Sequence, residues 1–356
     1  LIRDKKVQAQ RTINYSQAIY EAIDLETKRD PGVFVMGQGI DDFKGMYGTT
    51  KGLAEKYGVD RVFDTPLSEE GMTGVAIGAA MAGMRPIHTH IRMDFMLLAM
   101  NQIINIAAKS HYMYGGQVSV PIVIRSVIGR SWGQGAQHSQ GLHSLFMHIP
   151  GLRVVAPTTP YDAKGCLITS IRDNNPVMFV EHRMVHFQKG HVPEESYTVP
   201  IGKARVLGSG SNLTIVGVSH AVVECMMART ALEQIGISAE VIDPVWLSPL
   251  DVETIANSVQ KTGALLVVDS GWTFTGASAE IVAAVGEHLQ GKKSFTFKRM
   301  GFAPVACPTT KKLETLYYPN ASTIASAAFS LVKSDQPAWT PEHIEAAEIL
   351  EFKGPF

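Results

Sequence analysis

Two short stretches of the sequence concentrate residue types that can do chemistry. The first is Asp64-Thr65-Pro66-Leu67-Ser68-Glu69-Glu70-Gly71-Met72, which closes an apolar run and opens a Gly/Ala-rich segment, Gly74-Val75-Ala76-Ile77-Gly78-Ala79-Ala80. A carboxylate at a strand-to-helix junction stands where small molecules bind in α/β folds, and small residues behind it let backbones approach closely. Glu69 is therefore a candidate proton-transfer group. The competing reading is an acidic pair at a helix start, which the helix dipole favours by ~0.3–1 kcal/mol.

The second stretch runs from Gly129 to Gly141 (GRSWGQGAQHSQG) and holds a single histidine, His138. Glycines at this density let a loop close on a ligand, and imidazole is the side chain suited to moving protons near neutrality. An ordinary flexible loop is the alternative. No P-loop pattern occurs and no GxGxxG follows a strand-like run, so nucleotide binding has no support. His138, His143 and His148 recur every fifth residue, which does not put them on one helical face, and His88 with His90 lacks a carboxylate companion. Metal catalysis by these histidines is not expected.

The elements that must position these groups follow from periodicity. Residues 16–28 repeat apolar positions at helical spacing behind a serine, and 33–37 (VFVMG) is an apolar run between turn residues, which reads as a buried parallel strand. The alternation continues, with strands expected over 61–64, 85–90, 121–125, 152–156 and 177–180 and helices over 71–82, 94–110 and 161–173. After a polar, Pro/Gly-punctuated stretch, a second series places strands at 213–218, 239–242, 264–268 and 295–299, with helices at 220–235, 251–259, 277–288 and 321–332. The expected fold is α/β, two doubly wound domains with mainly parallel sheets: residues 1–190, a linker at 191–210, a second domain at 211–335 and an extension at 336–356 with a helical stretch at 341–350.

Composition agrees with this reading. Apolar residues make up 45% of the chain and 32 basic residues oppose 33 acidic ones, which describes a well-cored globular protein and gives no polybasic face for nucleic acid. The charged fraction of 18% lies below the usual ~25%, a sign that another chain covers part of the surface. Cys166, Cys225 and Cys307 fit no disulfide or zinc spacing and read as core thiols in a reduced compartment, and no run is long enough to span a bilayer. The expected location is the cytoplasm, or the mitochondrial matrix in a eukaryote.

At these residues the sequence resembles a known family. The run KGLAEKYGVDRVFDTPLSEEGMTGVAIGAAMAGMRPI, then DFMLLAMNQIINIAAKSHYMYGG, then GAQHSQGLHSLFMHIPGLRVVAPTTPYDAKG and SIRDNNPV are similar to the beta subunits of thiamine-diphosphate-dependent 2-oxoacid dehydrogenases, the pyruvate and branched-chain type. In the second half, SNLTIVGVSHAVVE and PVWLSPLDVETIANSVQKTG look like the transketolase C-terminal domain. The resemblance implies a pyrimidine-binding domain followed by that C-terminal domain, in an assembly of two alpha and two beta chains. By resemblance, Glu69 is the glutamate that hydrogen-bonds the aminopyrimidine of thiamine diphosphate and promotes the tautomer that deprotonates the thiazolium carbon. Phe95 falls where the family stacks an aromatic ring on the aminopyrimidine, although by itself it reads as a core residue. His138 matches the histidine that assists acyl transfer. Ile122, Ser170, Ile171, Asp173 and Asn175 match positions that form a structural potassium site in some members; a loop-stabilising hydrogen-bond cluster is the second reading of those residues.

No Gly-Asp-Gly, the segment through which thiamine enzymes hold the magnesium ion of the diphosphate, occurs in the 356 residues. The expectation is that Mg2+ and the diphosphate are held by an alpha subunit, with the active site between the chains. The sequence also departs from the family. Gly37-Gln38-Gly39 stands where two carboxylates are common, Thr89, His90, Ile91, Arg92 and Met93 replace a stretch that usually carries a glutamate and an aromatic residue, and FAPVACPTTKKLE replaces an Asp-x-Pro-x-Pro pattern. The leading function is the beta subunit of a heterotetramer that decarboxylates a 2-oxoacid and passes the acyl group to a lipoyl acyltransferase. The alternatives are half of a split transketolase-like or acyloin-forming ligase, and a non-catalytic scaffold for an alpha chain.

Overall fold

The computed structural model describes residues 11–41, 45–129, 133–342 and 344. The first part of the chain supplies β1 (Thr12–Asn14), β2 (Val33–Gly37), β3 (Val62–Asp64), β4 (Arg85–His90), β5 (Val123–Ile128), β6 (Arg153–Val155), β7 (Val177–His182) and β8 (Lys189–His191). The remainder supplies β9 (Arg205–Gly208), β10 (Leu213–Gly217), β11 (Ala239–Asp243), β12 (Trp246–Ser248), β13 (Ala264–Trp272) and β14 (Thr296–Phe302). The larger sheet has the order β12-β6-β7-β5-β4-β2-β3 and is parallel except for β12. The smaller has the order β14-β13-β10-β11-β9 and is parallel except for its edge strand β9. Strands β1 and β8 pair with each other.

The continuous apolar strands bury both faces, and successive residues serve opposite cores. Val33 and Val35 of β2, with Val177 and Phe179 of β7, pack under the helices Tyr15–Arg29 and Pro160–Arg172. Phe34, Met36, Met178 and Val180 face the other way, into a core that continues through Val216, Ile242 and Val267 of the smaller sheet. A third cluster lies beyond that sheet, where Ile215 and Val268 meet the helices Ala221–Glu233 and Ala321–Val332. The two sheets thus share one apolar layer. The fold is α/β with two mainly parallel sheets, as the alternation of runs implied.

Several elements differ from expectation. The segment expected as one helix over 94–110 is a turn of α-helix (Met93–Met96), a 3-10 turn (Leu97–Ala99), a π-helical stretch (Gln102–Ala107) and a further α-helix (Ala108–Met113). The core sets part of this winding: Met93, Met96 and Ala99 are buried every third residue, and Ala99, Ile103 and Ala107 every fourth. Intervals of three suit a 3-10 turn, whereas intervals of four are those of an ordinary α-helix, so the buried spacing accounts for the 3-10 turn and not for the π-helical stretch. The strand expected at 121–125 is instead Val123–Ile128, because Arg125 is fully buried in an ion pair with Glu181 of β7 (Nε–Oε1 2.8 Å), so the strand runs on through polar residues. The expected linker 191–210 ends in strand β9, whose half-exposed residues suit a sheet edge. Trp246–Ser248, expected in the second domain, crosses back to pair antiparallel with β6, and Trp246 is fully buried there. A helix at Lys311–Tyr317 was not anticipated. Pro341 and Glu342 are not helical, and the rest of the helical stretch expected at 341–350 lies, apart from residue 344, outside the described residues. All three cysteines are buried thiols.

Candidate active site

The loops that carry Gln38, Glu69, Phe95 and His138 leave the carboxyl ends of β2, β3, β4 and β5, four neighbouring strands of one parallel sheet. That edge is where α/β sheets bind ligands.

Glu69 is the first residue of the helix Glu69–Met81, which buries Thr73, Ala76, Ile77 and Ala80 at helical spacing and so fixes how its first turn sits over the sheet. Its Oε1 accepts a hydrogen bond from Gln38 Nε2 at 3.2 Å. Gln38 is in turn set by Gly37, whose φ is +143° and at which a Cβ would stand 2.2 Å from the Thr89 carbonyl oxygen. Only glycine permits that approach, and through it Gln38 N–H reaches Thr89 O at 3.2 Å. Asp64 at the end of β3 accepts from Ile40 N–H (3.1 Å), closing the turn that presents Gln38. The sequence reading took Gln38 only as a lost carboxylate; the structure makes it a hydrogen-bond donor to Glu69.

One turn along the same helix, the Thr73 hydroxyl lies 3.1 Å from His88 Nε2 and 3.2 Å from His90 Nε2. A hydroxyl has one proton, so it donates to one imidazole and accepts from the other. Burial lowers the proton affinity of both rings, His88 to about 4 and His90 well below its ordinary value, where His88 adds repulsion. Both rings are neutral at physiological pH.

Phe95 and His138 meet edge to face, with ring centroids 5.2 Å apart and planes at 75°. Phe95 is 37% exposed, so it is not the core residue that its isolated sequence context suggested. The neighbouring Asp94 is buried, and its Oδ1 accepts from Gln140 N–H (3.2 Å) and Nε2 (2.9 Å), tethering the glycine-rich loop two residues past His138. Burial raises the Asp94 carboxyl. Desolvation, and then the positive charge of Arg92 with a smaller push from Arg183, lower the imidazolium tendency of His138 against an opposing pull from Asp94. The far end of the loop is clamped to the other sheet: a Cβ on Gly141 would stand 1.9 Å from the Ser270 carbonyl oxygen, and His143 Nε2 pairs with Asp269 Oδ1 at 2.8 Å, both side chains buried. His138 is therefore held between both sheets, which makes its position a property of the whole chain.

The residues matched to a potassium site gather elsewhere, at the amino ends of β5 and β7. Ile122 O accepts from Val177 N–H (2.9 Å), Ser170 O from Asp173 N–H (3.3 Å), and Ile171 O and Asp173 O both accept from Arg85 Nη1 (2.9 Å each). The Asp173 carboxylate takes Asn175 N–H and Nδ2 (2.9 and 2.7 Å) and pairs with Arg153 (2.9 Å).

A transketolase pyrimidine-binding-domain family matches residues 11–186, and a transketolase C-terminal-domain family matches residues 202–324. The chain is 43% identical to the acetoin:2,6-dichlorophenolindophenol oxidoreductase beta subunit of Cupriavidus necator, over 91% of this chain and 98% of that protein. It is 42% identical to the mitochondrial pyruvate dehydrogenase E1 component beta subunit of Dictyostelium discoideum, over 90% of this chain and 91% of that one. A solved structure described as a split gene transketolase, inactive beta4 tetramer, superposes with a TM-score of 0.71 over 90% of this chain and 99% of that one at 22% identity, a likeness of fold.

Proposed function

The chain belongs to the family of transketolase-like beta subunits of thiamine-diphosphate-dependent 2-oxoacid dehydrogenases, and from that premise we propose that it works with an alpha subunit to decarboxylate a 2-oxoacid and transfer the acyl group to lipoamide. The observation that carries the proposal is the Gln38–Glu69 hydrogen bond at the ligand-binding edge of the sheet, one strand from the Phe95–His138 pair. Thiamine diphosphate, when bound, supplies the thiazolium carbon that attacks the 2-oxo group. The donor set fits it. Gln38 occupies Oε1 of Glu69, which leaves Oε2 to hold or release a proton toward an aminopyrimidine nitrogen. The half-exposed Phe95 ring offers an aromatic face. His138, kept neutral by its surroundings, can give or take a proton at a ring nitrogen as the acyl group leaves.

A partner is part of the reading. The helix Glu69–Met81 turns Gly74, Val75 and Gly78 outward, and Leu67 is 81% and Tyr112 88% exposed nearby in sequence and along the broken helix. Apolar exposure on this scale marks a surface that another protein covers. We assign it to the alpha subunit, which brings the diphosphate and magnesium site, with a second beta chain completing the tetramer and a lipoyl acyltransferase as acceptor. Potassium enters as a structural ion: each carbonyl of Ile122, Ser170, Ile171 and Asp173 keeps a second lone pair for a hard cation beside the Asn175 amide. Among the described residues no helix is long and apolar enough to cross a membrane.

The test is co-expression with the alpha chain, followed by assays of 2-oxoacids with thiamine diphosphate, magnesium and either lipoamide or aldehyde acceptors. Acyl transfer to lipoamide supports the proposal. Carbon–carbon bond formation without lipoamide transfer would move the chain to the ligase reading, and an assembled complex unaffected by Glu69→Gln would make it a scaffold.

A further inference from the structure

Beside His138 the chain holds more positive charge than its own carboxylates satisfy. Arg183 follows the last residue of β7 and is 1% exposed; one Nη donates to the Gly129 carbonyl, while Nε and the other Nη are buried with no acceptor. Arg92, just past the end of β4, has a buried Nε that is likewise unmatched. Asp94, the carboxylate that acts on them among the described residues, does not answer this, because it gives Oδ1 to Gln140 and its Oδ2 accepts nothing. Arg92 follows β4 and Arg183 follows β7, the strands on either side of β5, whose loop carries His138, so the three side chains leave the same end of adjacent strands; the charges of both guanidiniums accordingly act on each other and on the imidazole. A buried donor left without an acceptor is destabilising, the more so when it carries charge. Two such cations held together call for an anion that arrives from outside.

We propose that Arg92 and Arg183 form an oxyanion seat beside His138 that receives a second anionic group, carboxylate or phosphate, on the tail of the substrate. This rests on the 2-oxoacid reading above and names the substrate class within it. The anion is not the carboxylate that departs: pairing that group with two arginines would stabilise the reactant relative to the transition state, in which its charge is lost, and so slow the reaction. A spectator anion carries no such penalty, and its binding energy positions the reacting carbon. The departures from the family pattern point the same way, since Gln38 and Thr89 replace acids on neighbouring strand ends.

The experiment uses the assembled alpha–beta complex. Specificity is read as the ratio of kcat/KM for 2-oxoglutarate, and for 2-oxo-4-phosphonobutanoate, to that for 2-oxopentanoate of the same length. Calorimetric titration with malonate and with inorganic phosphate reads binding without turnover. The wild-type complex should favour one anionic tail over the neutral one, and whether carboxylate or phosphonate wins tells the two sources apart. Arg92→Gln, at a half-buried position, should lower that ratio and weaken the winning probe about ten- to hundredfold, the loss of a charge-assisted hydrogen bond. Arg183→Lys, which keeps the charge in the buried position, should retain part of the preference. A complex that turns over 2-oxopentanoate and shows no anionic preference, or one that Arg92→Gln leaves unchanged, overturns the seat and leaves the 2-oxoacid reading intact. Anion binding that is lost in Arg92→Gln, in a complex that turns over no 2-oxoacid, supports the seat and overturns the reading on which it was placed.

Discussion

Replacing Gly74 by alanine separates what the chain needs for itself from what it needs for its partner. Gly74 lies in the middle of the helix Glu69–Met81, on the half-buried flank beside the face that buries Thr73, Ala76, Ile77 and Ala80. A Cβ built there meets nothing within 4 Å, in contrast to Gly37, where it would strike the next strand. Within the chain the substitution removes only the entropic weakness of a helical glycine, a gain of roughly 0.5–1 kcal/mol. For a chain of this size that is a rise in Tm of about 1 °C. Against an alpha subunit the result reverses: a methyl pushed into a close-packed interface costs about 1–3 kcal/mol, a roughly five- to hundredfold weaker Kd. The assay is paired, thermal unfolding of the chain expressed by itself and sedimentation of the alpha–beta mixture across a concentration series, with Gly78→Ala as a second position on the same open face. Unchanged association together with a raised Tm would refute the assignment of this face to the alpha subunit. A lowered Tm would refute the open space itself.

What the sequence could and could not reveal divides along a physical line. Strands such as VFVMG and Leu213–Gly217 are legible because burial on both faces demands uninterrupted apolar residues. Glu69 and His138 could be singled out as candidates because a motif and a glycine-rich loop frame them. Arg125 and Arg183 were not, because an arginine in sequence reads as a solvated charge, and only the assembled sheet hides each of them: Arg125 beside Glu181, Arg183 beside the Gly129 carbonyl. The tether from Asp94 to Gln140 and the pair His143–Asp269 join residues 46 and 126 positions apart, a separation that no local pattern encodes. Gln38 was visible only as a missing acid. Its role as a donor needed the register of β2 against β4, which the glycine before it makes possible.

Glu69→Gln should abolish turnover of the assembled complex while sedimentation shows the tetramer intact; normal turnover would dismiss Glu69 as the proton-transfer group. Exchanging sodium for potassium should raise the Tm of the chain if the junction at Asp173 binds the ion, and Arg85→Leu, which strips two carbonyls of their donor, should lower it; insensitivity to the cation would leave the hydrogen-bond cluster as the whole of that site. Acid should unfold the chain through the buried imidazoles. His88 has a folded-state value of about 4, below the ~6.5 of an exposed imidazole, so the unfolded chain takes up the proton first, and the stability present above that value is lost as pH falls toward the folded one. A gap of about 2.5 units corresponds to roughly 3 kcal/mol, and His90 adds to it in the same direction. His90→Phe, which keeps a buried ring next to His88 and removes one titrating group, should move the acid-unfolding midpoint to lower pH, followed by circular dichroism between pH 7 and 4. A midpoint that stays where it was would show that the imidazoles beside Thr73 are solvated and charge freely in the folded chain.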